Sequence, residues 1–382
     1  MIQKQLNAAP ADARSGKSRA HRRAAAQDRL TLTQGRSRHL VCNLLQEGDV
    51  TGDDMQTGEE TETERRGPAI AKIIPINMKT HYAEGDVNAY LLLGSPVTLV
   101  DTGIHTEASV QQLRGGLAAV GLTFQDVEQI VVTHMHLDHC GGVMAIQEEA
   151  EVPVFVHERA QVLLDGGRQE HERTEAFLRE FIVRCGAGGV VDPRRPYREA
   201  AWKHVRYLAD GDTLLAGGER YHVLYVPGHS QTDMCLWNPE TGDAFVGDYL
   251  LQHISANAFI VPPHPWERER PKPLLQLRES LDRARDLPWK TIFPGHGDPY
   301  LGHRQVINQR FLEQHERCEH IRRLLQAGPR TVYQLSHAMF PWLKGGAVFL
   351  GLSEVQGHLD LLLERSQAEA AEDDGVVLYS AV

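Results

Sequence analysis

The spacing of apolar positions changes several times along the chain, and each change marks an expected element. Residues 1–66 show no sustained period, and their apolar side chains are too few to offset the entropy of ordering them, so disorder is expected. From residue 69 onward, short apolar runs are broken by Gly, Pro and Asp. Residues 70–78, 89–93 and 97–100 are predicted strands, the last running into Asp101-Thr102-Gly103. Helical spacing follows over 107–120 and stops at Gly121. Residues 129–132 form a β-branched strand that runs directly into Thr133-His134-Met135-His136-Leu137-Asp138-His139-Cys140. A helical stretch that includes 174–184 comes next, followed by predicted strands at 221–226, 244–246 and 291–293. The last part is mostly helical. Helices are predicted at 305–325, from Thr331 as N-cap, and at 353–365, with a final strand at 375–379. Alternating short strands and helices place the chain in the α/β class.

Four of the predicted strands end in side chains that bind metals. After 129–132 comes His134-x-His136-x-Asp138-His139, and after 221–226 comes Pro227-Gly228-His229. After 244–246 comes Gly247-Asp248, and after 291–293 comes Pro294-Gly295-His296-Gly297. Alternate residues of an extended segment point the same way, so His134 and His136 can clamp one ion. Asp138 and His139, around the turn into a helix, then face a second. Glycine beside a ligand lets the backbone turn sharply toward a shared centre. Around this set, Asp101 is expected to accept the free N–H of a ligand histidine. Cys140 is expected to pack as a small apolar residue, and His157 to be a solvated polar residue at a strand end, with a place on the pocket rim as the alternative. Tyr249, His253 and Asn257 are candidates for the cleft wall. Arg159, Arg168, Arg173, Arg194 and Arg195 suit either an anion or a solvated helix face.

Charge narrows the choice of partner. The 382 residues carry 40 Lys and Arg against 51 Asp and Glu, a net charge of −11, which repels a polyanion. Residues 306–382 have a net charge of −3, with no dense cationic cluster. By contrast, residues 1–40 have a net charge of +7 and 41–66 a net charge of −6, a pattern loosely suited to organelle targeting. No window reads as a membrane span. The five cysteines are widely spaced without a CxxC pair, as expected of reduced thiols in the cytoplasm.

The HxHxDH stretch, the two Pro-Gly-His motifs, Gly247-Asp248, Asp101-Thr102-Gly103 and Asn88-Ala89-Tyr90-Leu91-Leu92 together resemble the metallo-β-lactamase superfamily, in that family's order. The resemblance covers about residues 69–300 and is nearest to the glyoxalase II-like hydrolases. It implies an αββα sandwich with two divalent ions at one edge. His134, His136 and His229 would hold the first ion, Asp138, His139 and His296 the second, and Asp248 would bridge them. The tail looks like a small winged-helix appendage. The expected organisation is therefore a disordered extension (1–66), a catalytic domain (67–305) and a winged-helix-like domain (306–382). Zinc is the default ion, and iron or manganese also suits the mixed nitrogen and oxygen donors.

Two divalent ions, two aspartates, five neutral histidines and one bridging hydroxide leave a net charge of +1, which suits an anionic tetrahedral intermediate. The expected reaction is attack by that hydroxide on a small-molecule thioester or ester, with Asp138 relaying a proton to the leaving group. The alternatives are a single-strand RNA endonuclease, suggested by a relative with a similar tail, and a lactone or β-lactam hydrolase. The intact ligand set argues against a metal-free binding protein. Homo-oligomerisation is left open.

Overall fold

The computed structural model describes residues 72–80, 85–192, 194 and 196–382; the expectation for residues 1–66 lies outside them. The described residues form two six-stranded sheets and a three-stranded one. In the first sheet, β1 (Lys72–Met78), β2 (Val87–Leu93) and β3 (Thr98–Val100) run antiparallel. Then β4 (Gln129–Val131), β5 (Val154–His157) and β6 (Val205–Leu208) continue parallel to β3. The second sheet is ordered β12-β11-β10-β9-β8-β7, from Tyr300–Leu301 back through Thr291–Pro294, Ala244–Gly247, Met234–Trp237 and Glu219–Tyr225 to Thr213–Ala216.

Alternation along single strands sorts side chains into three cores. On β2, Val87, Ala89 and Leu91 face outward with Leu113 and Leu117 of helix α1 (Glu107–Ala118). The intervening Tyr90 and Leu92 meet Tyr221, Val223, Leu236 and Phe245 of the second sheet. On β10, Phe245 joins that central layer while Ala244 and Val246 face outward. There they join Leu277 and Leu281 of the helix Pro273–Arg285 and residues of the C-terminal helices. Helix, sheet, sheet, helix is thus the expected αββα order. Each fully buried leucine or phenylalanine stabilises it by about 1.5–3 kcal/mol.

Several predicted elements differ in extent. The helix expected over 174–184 begins at Gln161, with a kink at Gly167 where φ is 47°. The last helix is Val348–Glu364, five residues earlier than its expected start, because Val348, Phe349 and Leu352 belong to its buried face. The terminal strand Val376–Ala381 pairs with a partner that was not expected, Ala368–Asp373, whose polar, acidic run has little strand character. Thr331 is the N-cap of Val332–Met339, accepting from Gln334 N at 3.1 Å, and His303–Leu325 precedes it. No helix among the described residues is long and apolar enough to cross a membrane.

Candidate metal centre

The seven candidate ligands converge at one edge of the sandwich, where the loops leaving β4, β8, β10 and β11 meet. His136 N-caps the short helix Leu137–Cys140, which turns Asp138 and His139 back toward the strand ends. Met234 N donates to Thr133 O at 3.0 Å, and Gly295 N to Gly247 O at 2.7 Å, so the loops hold one another. On the other side, Asn88 Nδ2 donates to the carbonyls of Pro294 (3.1 Å) and Gly297 (2.6 Å). Tyr90 Oη donates to Pro294 O at 2.7 Å. The first sheet thereby grips the loop that carries His296.

Two ligand groups form, with a third joining them. His136 Nδ1 lies 3.1 Å from His134 Nε2 and 2.9 Å from His229 Nε2. Asp138, His139 and His296 form the second group, with His296 Nε2 3.4 Å from Asp138 Oδ2. His134, His139 and Asp248 link the two. Asp248 Oδ1 is 3.3 Å from His139 Nε2, and its Oδ2 is 3.4 Å from His296 Nε2 and 3.7 Å from His229 Nε2.

For three of the rings, the partner on the far side determines the tautomer. Carbonyls and carboxylates only accept, so the ring nitrogen facing one carries the proton. His229 Nδ1 donates to Asn257 O (3.0 Å), His296 Nδ1 to Asp86 O (2.9 Å) and His139 Nδ1 to Asp101 Oδ2 (2.9 Å). In the neutral rings the Nε2 lone pairs therefore point inward, toward the carboxylates. Among the described residues, buried His139 Nε2, His296 Nε2 and Asp248 Oδ1 have no hydrogen-bond partner. Lone pairs and carboxylates crowded together require positive charge among them. The donor set therefore fits divalent cations.

The ionisation of the side chains reflects the same field. Burial pushes His139 down, but Asp248, Asp138 and Asp101 outweigh it and hold the ring well above its ordinary value. His296 is likewise depressed by burial but raised overall to about 10, chiefly by Asp248. His134 is held well below the usual range by burial and by its histidine neighbours, and His136 falls to about 3 for the same reasons. For Asp138, burial raises the carboxyl, but His139 and His296 bring it down to about 2.

The surrounding residues divide. Asp101 takes the expected position, and it also accepts from Thr133 N and Thr133 Oγ1, both at 2.8 Å. Cys140 is buried, with its thiol pushed up to about 12 by burial. His157 is no surface residue: it is buried and stacks on Tyr225 with ring centroids 4.1 Å apart. Tyr249 packs into the outer core and Asn257 lies beneath His229, so neither forms the cleft wall; His253 is exposed. Arg159 pairs with Glu267 at 2.8 Å, Arg173 with Glu170 at 2.7 Å and Arg194 with Asp192 at 2.5 Å. Arg168 lies over the Tyr197 ring, and Arg195 is outside the described residues. The Phe259 ring stands edge-on to His136 and His229, at 5.3 and 5.5 Å between centroids. Its sequence context carries no signal for that position, nor does that of the Asp86 and Asn257 carbonyls.

A sandwich of this order with histidines and aspartates converging at its edge defines a metal-dependent hydrolase. The family model of the metallo-beta-lactamase superfamily matches residues 82–296, and the chain belongs to that superfamily. It is 31% identical over 312 residues to "Probable metallo-hydrolase YqjP" of Bacillus subtilis (strain 168), covering 80% of this chain and 97% of that one. It is 29% identical over 177 residues to an acyl-coenzyme A thioesterase of Homo sapiens, covering 44% of this chain and 60% of the relative. The crystal structure of a metallo-beta-lactamase family protein from Thermus thermophilus superposes with a TM-score of 0.69 at 27% identity. That match covers 81% of this chain and 98% of the other.

Proposed function

We propose that the chain hydrolyses a small-molecule thioester or ester at a centre of two divalent ions, zinc by default. The observation that carries the proposal is the inward-facing set itself: His134, His136 and His229 on one side, Asp138, His139 and His296 on the other, and the Asp248 carboxylate between them. Divalent ions bound there would polarise a scissile carbonyl and bring the pKa of water toward neutrality. Asp101, Asn257 and Asp86 hold three of the rings in the tautomer that presents Nε2. Asp138 retains partial exposure, with 14% of its side chain open, and its Oδ atoms can pass a proton to the departing thiolate or alkoxide. Phe259 supplies an apolar wall beside His136 and His229.

The choice of acyl substrate draws support from relatives named as acyl-coenzyme A thioesterase and hydroxyacylglutathione hydrolase. The net charge of −11 disfavours gathering a polyanion such as RNA. Within the same reading, residues 67–305 are the catalytic domain and 306–382 a winged-helix-like domain. The order helix, short strand, two helices and hairpin supports the latter. Free, buried Cys140, Cys185, Cys235 and Cys318 support a reducing, cytoplasmic setting.

The test is elemental analysis of protein purified without chelator, followed by assays on acyl-thioesters, esters, lactones and single-stranded RNA. About two metal equivalents per chain are expected, with acyl hydrolysis that chelator abolishes and zinc restores. One equivalent with full activity would reduce the centre to a single ion. Salt-sensitive RNA cleavage beside negligible acyl hydrolysis would overturn the substrate class.

A further inference from the structure

The segment 249–260 follows Asp248 without forming helix or strand, yet Leu250, Leu251, Asn257, Ala258 and Ile260 are all buried. Buried irregular backbone must find partners for its peptide groups. Four of the hydrogen bonds that hold it involve the C-terminal helices. Arg310 Nη2 donates to Leu251 O (3.2 Å) and Gln252 O (2.8 Å). Asn257 Nδ2 donates to Leu350 O at 3.1 Å, in the first turn of Val348–Glu364, and Ile260 N donates to Ser353 Oγ at 3.3 Å. Between these anchors, the Asn257 carbonyl accepts from His229 Nδ1, and Phe259 flanks His136 and His229.

We infer that Asn257 is a positioning residue for His229, and that the C-terminal helices hold the metal centre in register through it. The carbonyl can fix the tautomer and rotation of the His229 ring only as firmly as its own peptide is fixed. The peptide is tied down by the residue's side chain, 93 positions away on the C-terminal helix. Releasing that tie lets the carbonyl drift, and the Nε2 lone pair loses its aim. Arg310 and Ser353 act on the same segment from either side, so their loss should produce the same effect more weakly. The inference rests on His134, His136 and His229 forming a metal-binding group.

The test uses metal-stripped full-length protein carrying Asn257→Ala, Ser353→Ala or Arg310→Met, titrated with Co2+ against a chromophoric chelator. Circular dichroism monitors folding. For N257A the expected result is a folded protein in which one of the ions binds about 10–100-fold more weakly, with shifted visible bands of the Co2+ form. S353A and R310M should shift both readouts in the same direction by less. In a His229→Ala background the N257A effect on Co2+ affinity should vanish, because the ring it aims is gone. Wild-type affinity and spectrum in N257A, with only a lowered melting temperature, would overturn the inference. Should N257A fail to fold, S353A decides, and an unchanged affinity and spectrum there would likewise overturn it. Failure of the underlying metal assignment would show differently: wild-type protein would bind no Co2+, or H229A would bind as much as wild type.

Discussion

Asp248 lies within 3.7 Å of ring nitrogens from both ligand groups, whereas Asp101 reaches the centre through His139 and Thr133. Asp248→Ala should therefore leave less than one metal equivalent per chain and background activity. Asp101→Ala should weaken metal binding about 10–100-fold while still permitting uptake at saturating metal. Elemental analysis of both variants checks the ranking, and equal metal loss would reverse it. His157 illustrates the opposite kind of histidine. Burial first, then Arg159, pulls it down to about 4 from an ordinary 6.5. The unfolded chain therefore takes up this proton first as pH falls. The stability contribution is complete above about pH 6.5 and is lost progressively toward pH 4. Phe at this position keeps a ring against Tyr225 but cannot titrate. Between pH 6.5 and 4, His157→Phe should lose less stability than the wild type, by on the order of 1–3 kcal/mol. Urea unfolding at pH 7 and pH 4.5 measures the difference, and parallel losses would refute it.

At the scale of elements, the ligand loops depend on close approaches of backbone to backbone. Gly228 has φ of 151° and lies against the helix Pro273–Arg285, where a Cβ would meet the Leu277 Cβ at 2.4 Å and its Cα at 2.5 Å. Ser280 Oγ of the same helix donates to Pro227 O at 3.0 Å, so the loop cannot simply lift away. Gly228→Ala should cost about 3 kcal/mol, combining overpacking with an unfavourable positive φ. It should also weaken metal binding, because His229 is the next residue. Thermal unfolding and chelator competition on the same variant check the two effects. The Pro-Gly-His motif is readable in the sequence because glycine and ligand are adjacent. The helix that makes the glycine necessary is about fifty residues away and unreadable from that motif.

The outer core of the second sheet is shared along much of the chain: Val246, Leu277 and Leu281 cluster with Ile307, Ile321, Leu352 and Leu359. A chain ending at residue 302 would expose the first group to water and remove the anchors of segment 249–260. Such a fragment should aggregate or lack a cooperative transition, whereas the full chain should unfold in one step where this core is concerned. Calorimetry of both is the measurement. A soluble, metal-binding fragment with its own sharp transition would show that 67–302 folds independently.

The strand ends that carry the seven candidate ligands could be read from residue order because they are local properties. The order of the sandwich came only from the resemblance to the superfamily, and the fold agrees with it. A β-branched run specifies a buried strand, and a ligand one or two residues beyond it emerges at that strand's end wherever the strand lies. Within β2, packing against the second sheet decides that Tyr90 and Leu92 take the inner face and Ala89 and Leu91 the outer. What required the tertiary structure were pairings between distant positions. These include the carbonyls of Asp86 and Asn257 that orient His296 and His229, and the acidic partners that occupy Arg159 and Arg173. They also include the strand Ala368–Asp373, formed only because Val376–Ala381 lies beside it. A peptide carbonyl is chemically the same at every residue and an exposed arginine suits many partners. Only the packing of two sheets and their helices decides which of them meets which.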